Sequence, residues 1–324
     1  MGGLGLFRTP GQALLTLLLL GLALVLVSTL ALWALGADWR VVYENLRYFL
    51  LGRLPVGETW RAWLLLLLGA GLFLLVLGRL GAIALGPIRP LSGPLLLALS
   101  LAALLVLLPV PVNVLSGLLL SLVLSLAAMV LAFPLGLLLA LARQSRIPLL
   151  RVLALVYIET VRGVPLISVL FLAFVTLPLF LPEGFRPSQF ARALAGFVLF
   201  TTAYLAENVR GGLQAIPRGQ VEAALSLGLS PTQTTLYVVL PQALRSVIPA
   251  IVGQFISLFK DTSLVAVIGM LDLLGMAQAI LANPKYLHLE REVYAFVALL
   301  YLFCSGLFSY LGRVVERALG LGVR

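Results

Sequence analysis

Gln214-Ala-Ile-Pro217-Arg-Gly-Gln-Val-Glu222-Ala223-Ala224-Leu-Ser-Leu-Gly228-Leu-Ser230-Pro231 separates two long apolar runs, at about 191–212 and 246–268. Pro217 suits the first position of a helix, where its missing N–H is no loss. Glu222 falls early in that helix, where its charge complements the dipole. Gly228 can take the left-handed conformation that stops it. Ser230-Pro231 then restarts a helix as N-cap and first residue. The stretch predicts a short helix, a glycine bend and a second helix, held in water between two segments that avoid it. Ala223 and Ala224 offer a shallow face for close approach, and Leu225, Leu227 and Leu229 offer anchors for a helix-in-groove contact. The plainer reading is an amphipathic connector resting on lipid headgroups.

The rest of the chain says why such a segment stands out. Of its 324 residues, 62% are hydrophobic and 10% charged, and the mean hydropathy is +1.14. An ordinary soluble domain carries about 25% charged residues, so most of this apolar surface faces lipid. Apolar runs fall at about 12–35, 62–78, 91–110, 115–142, 152–181, 191–212, 246–268 and 293–312, each near the ~20 residues one crossing needs. Run 152–181 is too long for one crossing. Gly163 and Pro165 break it into a short leading helix and the crossing proper. Leu, Ala and Gly dominate without alternation, which excludes a barrel. The fold class is an all-α polytopic membrane protein of about eight transmembrane helices. A first helix, rather than a signal peptide, follows Arg8, because the apolar run is longer than the ~7–15 residues of a signal.

Eight crossings put both termini on one side. The 22 basic residues exceed the 12 acidic by ten. With the termini inside, Arg8, Arg79, Arg89 and Arg143 are inner, as are Arg146, Arg151, Arg162, Arg210, Arg218 and Arg245, with Arg313, Arg317 and Arg324. The bias favours that orientation under the positive-inside rule. No basic block forms the one-sided patch a nucleic acid needs. Cys304 alone cannot form an internal disulfide, and with His288 it gives no metal site.

Near Pro109-Val-Pro111-Val-Asn113 the composition shifts. Residues 1–112 hold three plain Leu-rich spans, whereas 113–324 carry charges at membrane depth. Glu159/Arg162 and Glu207/Arg210 stand at i,i+3 spacing, each on one helix face. They read as structural ion pairs that fix helix packing. Lys260-Asp261-Thr262-Ser263 interrupts the run from Ile248 to Val267, too far from either end for easy snorkelling. Intramembrane charges default to a functional site, here a translocation path shared with Glu207 and Asn208. The competing reading is a Lys–Asp pair that satisfies itself at a helix break.

Glu222-Ala223-Ala224, three residues, Gly228, nine residues, then Val238-Val-Leu240-Pro241 resembles the EAA signature of permease subunits in ATP-binding cassette (ABC) importers. The family has Ile where Val238 stands. Tyr157-Ile-Glu159-Thr-Val-Arg162-Gly163-Val-Pro165-Leu resembles the branch importing polar amino acids. So do Ala203-Tyr204-Leu-Ala-Glu207-Asn-Val-Arg210-Gly211-Gly212 and Phe259-Lys260-Asp261-Thr262-Ser263-Leu264. The first three spans are similar to the longer permeases of general L-amino acid importers, on Asn45-Leu-Arg47 and Gly52-Arg53. The resemblance implies a five-helix permease core over 113–324. It implies a coupling helix near 216–230, in which Glu222, Ala223, Ala224 and Gly228 dock on a cytoplasmic ATPase.

The same resemblance implies the partners: ABC ATPase subunits that carry ATP-Mg, a second permease as homo- or heterodimer, and an extracytoplasmic substrate-binding protein. It also implies a bacterial inner-membrane location and an amino acid substrate, whose carboxylate and ammonium Lys260 and Asp261 can complement. The chain itself binds no cofactor and no metal on this reading, and it has no catalytic residue. A Walker A loop needs Gly-Lys-Ser/Thr, yet the two lysines follow Phe259 and Pro284. Neither a His-Glu-x-x-His nor a Gly-x-Ser-x-Gly motif is present. An ion-gradient-driven secondary transporter is the alternative; it predicts inverted repeats, and the Glu-x-x-Arg-Gly echo at 159–163 and 207–211 is too short to be one.

Overall fold

A computed structural model describes residues 9–79, 91–107, 113–182, 184 and 186–321. Every apolar run predicted above is helical there. Helix α1 (Pro10–Gly36) is capped by Thr9, whose hydroxyl accepts from the Gln12 N–H. It is apolar all round and buries nothing in the protein, as befits a helix whose partner is lipid. Helices α3 (Thr59–Arg79) and α4 (Ser92–Leu107) pack on each other as a hairpin. Arg8, Arg89 and Arg324, counted above as inner, lie outside the described residues, as do residues 109–112 of the Pro-rich boundary.

The loop expected between the first two spans contains a helix, α2 (Arg40–Leu51). Its Val41, Val42, Asn45 and Phe49 recur at helical spacing and are all buried, so this face is fixed by packing. Phe49 stacks edge-on against Phe296 at 5.1 Å. Glu44 accepts from Lys285 Nζ at 2.6 Å and from the Tyr286 hydroxyl at 2.8 Å. These two bonds, Lys285 foremost, hold the exposed Glu44 carboxyl below its ordinary range.

Helix α5 (Gly117–Arg143) follows. Helix α6 (Pro148–Arg162) and the segment Leu166–Phe180, which opens with α7 (Leu166–Phe171), meet at an angle of 109°. Pro165 lacks an N–H and disfavours helix at Val164, which is why the break falls there. The leading limb is a full 15 residues, longer than the short helix expected. Helix α8 (Gln189–Gln214) returns to the side on which α9 (Arg218–Ser226) lies, here called inner after the basic-residue bias. The next span begins with the single turn α10 (Pro231–Gln233) and a π-helical turn, Thr234–Val239. It continues as α11 (Leu240–Asp261) and a 3-10 turn, Thr262–Ile268. Outside lies α12 (Leu273–Leu281), and α13 (Glu290–Ala318) completes the bundle.

Among the described residues six helical stretches are long and apolar enough to cross a bilayer, and the bent α6–α7 pair makes a seventh. Helix α4, with 16 residues, spans about 24 Å and accounts for the eighth apolar run. The bundle's centre is α5 against α8. Ser121, Ser125, Ala128, Ala132, Gly136 and Ala140 are buried down one face of α5. Lipid offers helices no hydrophobic drive to associate, so small residues that permit close backbone approach do so instead. A Cβ at Gly136 would lie 2.8 Å from Leu205 Cβ and 3.1 Å from the Thr202 carbonyl.

On the outer side the packing crosses residue 112. Helix α2 lies against α5, α12 and α13. The Arg53 N–H donates to Ser116 Oγ at 2.7 Å, and the Gly117 N–H donates to the Leu271 carbonyl at 2.7 Å. Gly117 has φ +64°, and a Cβ there would meet the Tyr48 carbonyl at 2.6 Å, so the start of α5 is threaded between the end of α2 and residues 271–272.

Candidate functional site

Helix α9 is built as its sequence requires. The Gly228 N–H donates to the Leu225 carbonyl and the Leu229 N–H to the Ala224 carbonyl, with Gly228 at φ +83°. That is a Schellman stop, in which a left-handed residue satisfies two terminal carbonyls. Ser230 and Gln233 then form a reciprocal capping box that starts α10. Val221 packs on an inner apolar cluster formed by Ala140, Val209, Leu213, Val239 and Ala243, and Ala224, one turn on, is buried as well. Glu222 and Ala223 are exposed, and Leu225 and Leu227 are 44% and 84% exposed. The shallow face expected of Ala223 and Ala224 together is therefore split: Ala224 faces the protein, because its 4% exposure leaves no surface for a partner. The outward face comprises Glu222, Ala223, Leu225 and Leu227.

The expected Glu207–Arg210 pair forms at 2.9 Å, but Glu159 and Arg162 do not pair with each other. Glu159 instead meets Arg143 at 3.2 Å, and Arg162 meets Glu207 at 3.6 Å. Arg143 also donates to Glu207. One carboxylate, 14% exposed, thus faces three guanidinium groups from α5, α6 and α8. Pairing cancels most of the cost of charge at this depth and ties the three helices together. Arg143 is the member that sequence reasoning missed. Its partners lie 16 and 64 residues away, so no helical spacing announces it. The network also shows that Glu207 is already occupied by arginines.

Lys260 is exposed, Asp261 and Ser263 are half-buried, and Thr262 is buried with its hydroxyl donating to the Phe259 carbonyl at 2.7 Å. No ion pair joins Lys260 to Asp261 among the described residues. Gly212 packs on Ala243 and Val247. From that contact Glu207 lies five residues outward and Lys260 thirteen, so about 12 Å of helix separates their levels. Glu207 and Asn208 are at the inner end, whereas Lys260-Asp261 are towards the outer end. A continuous stripe ends at Lys260: Gln242, Ser246, Ala250, Gly253, Ser257 and Lys260, at spacings of three and four, run along one face of α11 and are open or half-open at the surface of this chain. A polar and small-residue stripe along a membrane helix is a face turned from lipid.

Asp272 is wholly buried at the outer hub. It caps α12, accepting from the Gly275 and Leu274 N–H groups at 2.9 and 3.2 Å, and it accepts from the Tyr301 hydroxyl at 3.1 Å. Burial pushes its carboxyl up to about 6, against those bonds. A raised carboxyl binds its proton more tightly folded than unfolded. Its contribution to stability is therefore present in full below the ordinary value near 3.9 and is lost as pH rises through about 6, by roughly 3 kcal/mol. Thermal unfolding of the purified protein at pH 5 and pH 8 checks this. The wild-type midpoint is expected to fall with pH relative to that of Asp272→Asn, and equal shifts in both would refute it.

Among the described residues no group of three or more His, Cys, Asp or Glu side chains is placed to hold a metal. The bundle, the exposed inner helix and the polar stripe define a membrane permease subunit. Residues 132–321 match the family described as binding-protein-dependent transport system inner membrane component, and the chain belongs to it. It is a multi-pass protein of the inner membrane. The chain is 41% identical over 294 residues to the inner membrane amino-acid ABC transporter permease protein YhdY of Escherichia coli (strain K12), covering 89% of this chain and 79% of that one. It is 36% identical to the glutamate/glutamine/aspartate/asparagine transport system permease protein BztC of Rhodobacter capsulatus, covering 88% and 80%. A crystal structure of an amino acid ABC transporter with histidines superposes with a TM-score of 0.57 at 34% identity, over 62% of this chain and 91% of that one. These relatives favour ATP drive over the ion-gradient alternative.

Proposed function

We propose that this chain conducts amino acids inward as the membrane subunit of an ATP-driven importer, with ATP hydrolysed on a separate chain that docks on α9. The stripe of Gln242, Ser246, Ala250, Gly253, Ser257 and Lys260 is the observation that carries the transport role. A face too polar for lipid and left open by this chain needs water, substrate or a second permease against it. A path between two such faces, from this chain and from a second copy or a related chain, satisfies all three. Lys260, Asp261 and Ser263 then line its outer half, with Thr262 buried behind them and fixing the turn, and Asn208 and Glu207, with its arginines, lie at the inner end. The names of the relatives support amino acids as the cargo, and the family supports a binding protein that delivers them. Glu222, Ala223 and Gly228 serve the ATPase contact, Ala224 the seating of α9. Residues 113–324 carry these parts, and the spans before residue 112 are an addition to them.

Uptake assays on Lys260→Met and Asp261→Asn test the path. Each variant, once its assembly with the ATPase is verified, is expected to lose roughly tenfold or more in uptake, the equivalent of about 1.4 kcal/mol from one lost contact. Normal transport by both removes these residues from the path.

A further inference from the structure

A cavity of about 240 Å³ opens on the outer side, where the loop after α2 meets the starts of α5 and α8 and the chain leaving the 3-10 turn. Arg53, Asn113, Ser116, Ser188 and Gln189 supply its polar lining, and Leu120 and Phe190 are among its apolar walls. Its lining contains no Asp or Glu. Arg53 is therefore the one charged residue of the lining, and the other polar residues carry amides and hydroxyls that can donate. The backbone of Arg53 is pinned by Ser116 at 2.7 Å, so the guanidinium hangs from a fixed point. The volume is below the ~300 Å³ at which drug-sized pockets begin, and it suits a small group. Gly269, Met270 and Leu271 also line it, just past the 3-10 turn that follows Lys260-Asp261, so the cavity lies along the chain beyond the outer end of the polar stripe.

Resting on the transport reading above, we infer that this cavity is a carboxylate-accepting site at the outer mouth, with Arg53 as its recognising group. A guanidinium presents paired N–H donors that match a carboxylate, and no competing acid sits in the lining to neutralise it. The carboxylate comes from one of two sources: the free amino acid before it meets the path, or an acidic side chain of the docked binding protein. In either case the loop from the N-terminal spans contributes a residue to substrate handling, a role that the 113–324 core cannot fill alone.

The test uses the purified permease–ATPase complex with Arg53→Gln, Arg53→Glu and Arg53→Lys. One arm measures equilibrium binding of radiolabelled L-glutamine and L-glutamate to the complex without binding protein. The other measures the concentration of glutamine- or glutamate-loaded binding protein that half-saturates ATPase stimulation. A loss of roughly tenfold or more in Arg53→Gln, deeper in Arg53→Glu and recovered in part by Arg53→Lys, is expected in one arm. Loss in the first arm assigns the free amino acid; loss in the second assigns the binding protein. A wild-type complex that is stimulated, with all three variants matching it in both arms, overturns this inference alone. A wild-type complex with no amino-acid-dependent ATPase activity overturns the transport reading as well.

Discussion

Exchanging Glu222 for Lys together with Gly228 for Asp is expected to abolish both co-purification of the ATPase with this chain and ATP-dependent uptake, while the chain still inserts in the membrane. The two substitutions act differently. Glu222 is the one acid on α9 and is exposed, so its reversal leaves the internal packing alone and changes only what a partner meets. Where such a charge is buried at an interface, losing its pairing costs roughly 2–5 kcal/mol, a ~30- to 4,000-fold loss of affinity. Gly228 has nothing within 4 Å of the point where a Cβ would stand, so Asp meets no steric clash. Its penalty comes from φ +83°, which costs a side-chain-bearing residue about 1–2 kcal/mol, less for Asp than for most. Loosening that stop moves Leu227 and Leu229 relative to Glu222. Val221, packed on the inner cluster, and the buried Ala224 are untouched, so insertion and folding survive. A pull-down in which the double variant retains the ATPase at wild-type levels contradicts the docking role. Uptake in proteoliposomes driven by an ion gradient alone contradicts ATP drive itself.

Removing residues 1–110 is expected to leave a chain that does not accumulate, whereas replacing α1 with an unrelated apolar helix of equal length is expected to be tolerated. The contrast follows from burial. Helix α1 buries nothing in the protein, so any span of that length can lead the chain into the same topology. Helix α2 buries Val41 and Phe49 completely and Val42 to 6% exposure. Each such side chain is worth at most about 1.5–3 kcal/mol when removed from water. Deleting it uncovers Leu118, Met276, Ile280 and Val293 on the outer face, and leaves Lys285 without Glu44. Membrane abundance and the thermal midpoint of the detergent-purified variants measure both effects. A 1–110 deletion that accumulates and transports as well as wild type refutes the structural role of α2.

Much of this was legible in residues 148–268 taken locally. The break at Gly163 and Pro165, the stop at Gly228 and the restart at Ser230-Pro231 are backbone chemistry, set within a few positions. Helix α2 was not legible as a packed element, because the loop from 37 to 61 carries Asp38, Glu44 and Glu58 among its apolar residues and resembles an exposed connection. Val41, Val42, Asn45 and Phe49 do recur at helical spacing, which is the signal that could have found it. The ion network was half legible. The i,i+3 spacing of Glu207 and Arg210 is visible in one helix, but Glu159 chose Arg143 over Arg162 for reasons that only three packed helices contain.

The sequence by itself determined that the chain lies in a bilayer, where its helices break, and which inner loop stands out in water. Those properties depend on composition and on residues within a turn of one another, so no folded neighbour is needed to read them. Tertiary structure alone decided that Ala224 faces inward while Glu222 and Leu227 face out. It also decided that Asp272 is buried between α12 and Tyr301, and that Arg53 lines a cavity bounded by the starts of α5 and α8. Each of these joins groups tens to hundreds of residues apart, and which charge meets which is settled by helix packing rather than by any spacing along the chain.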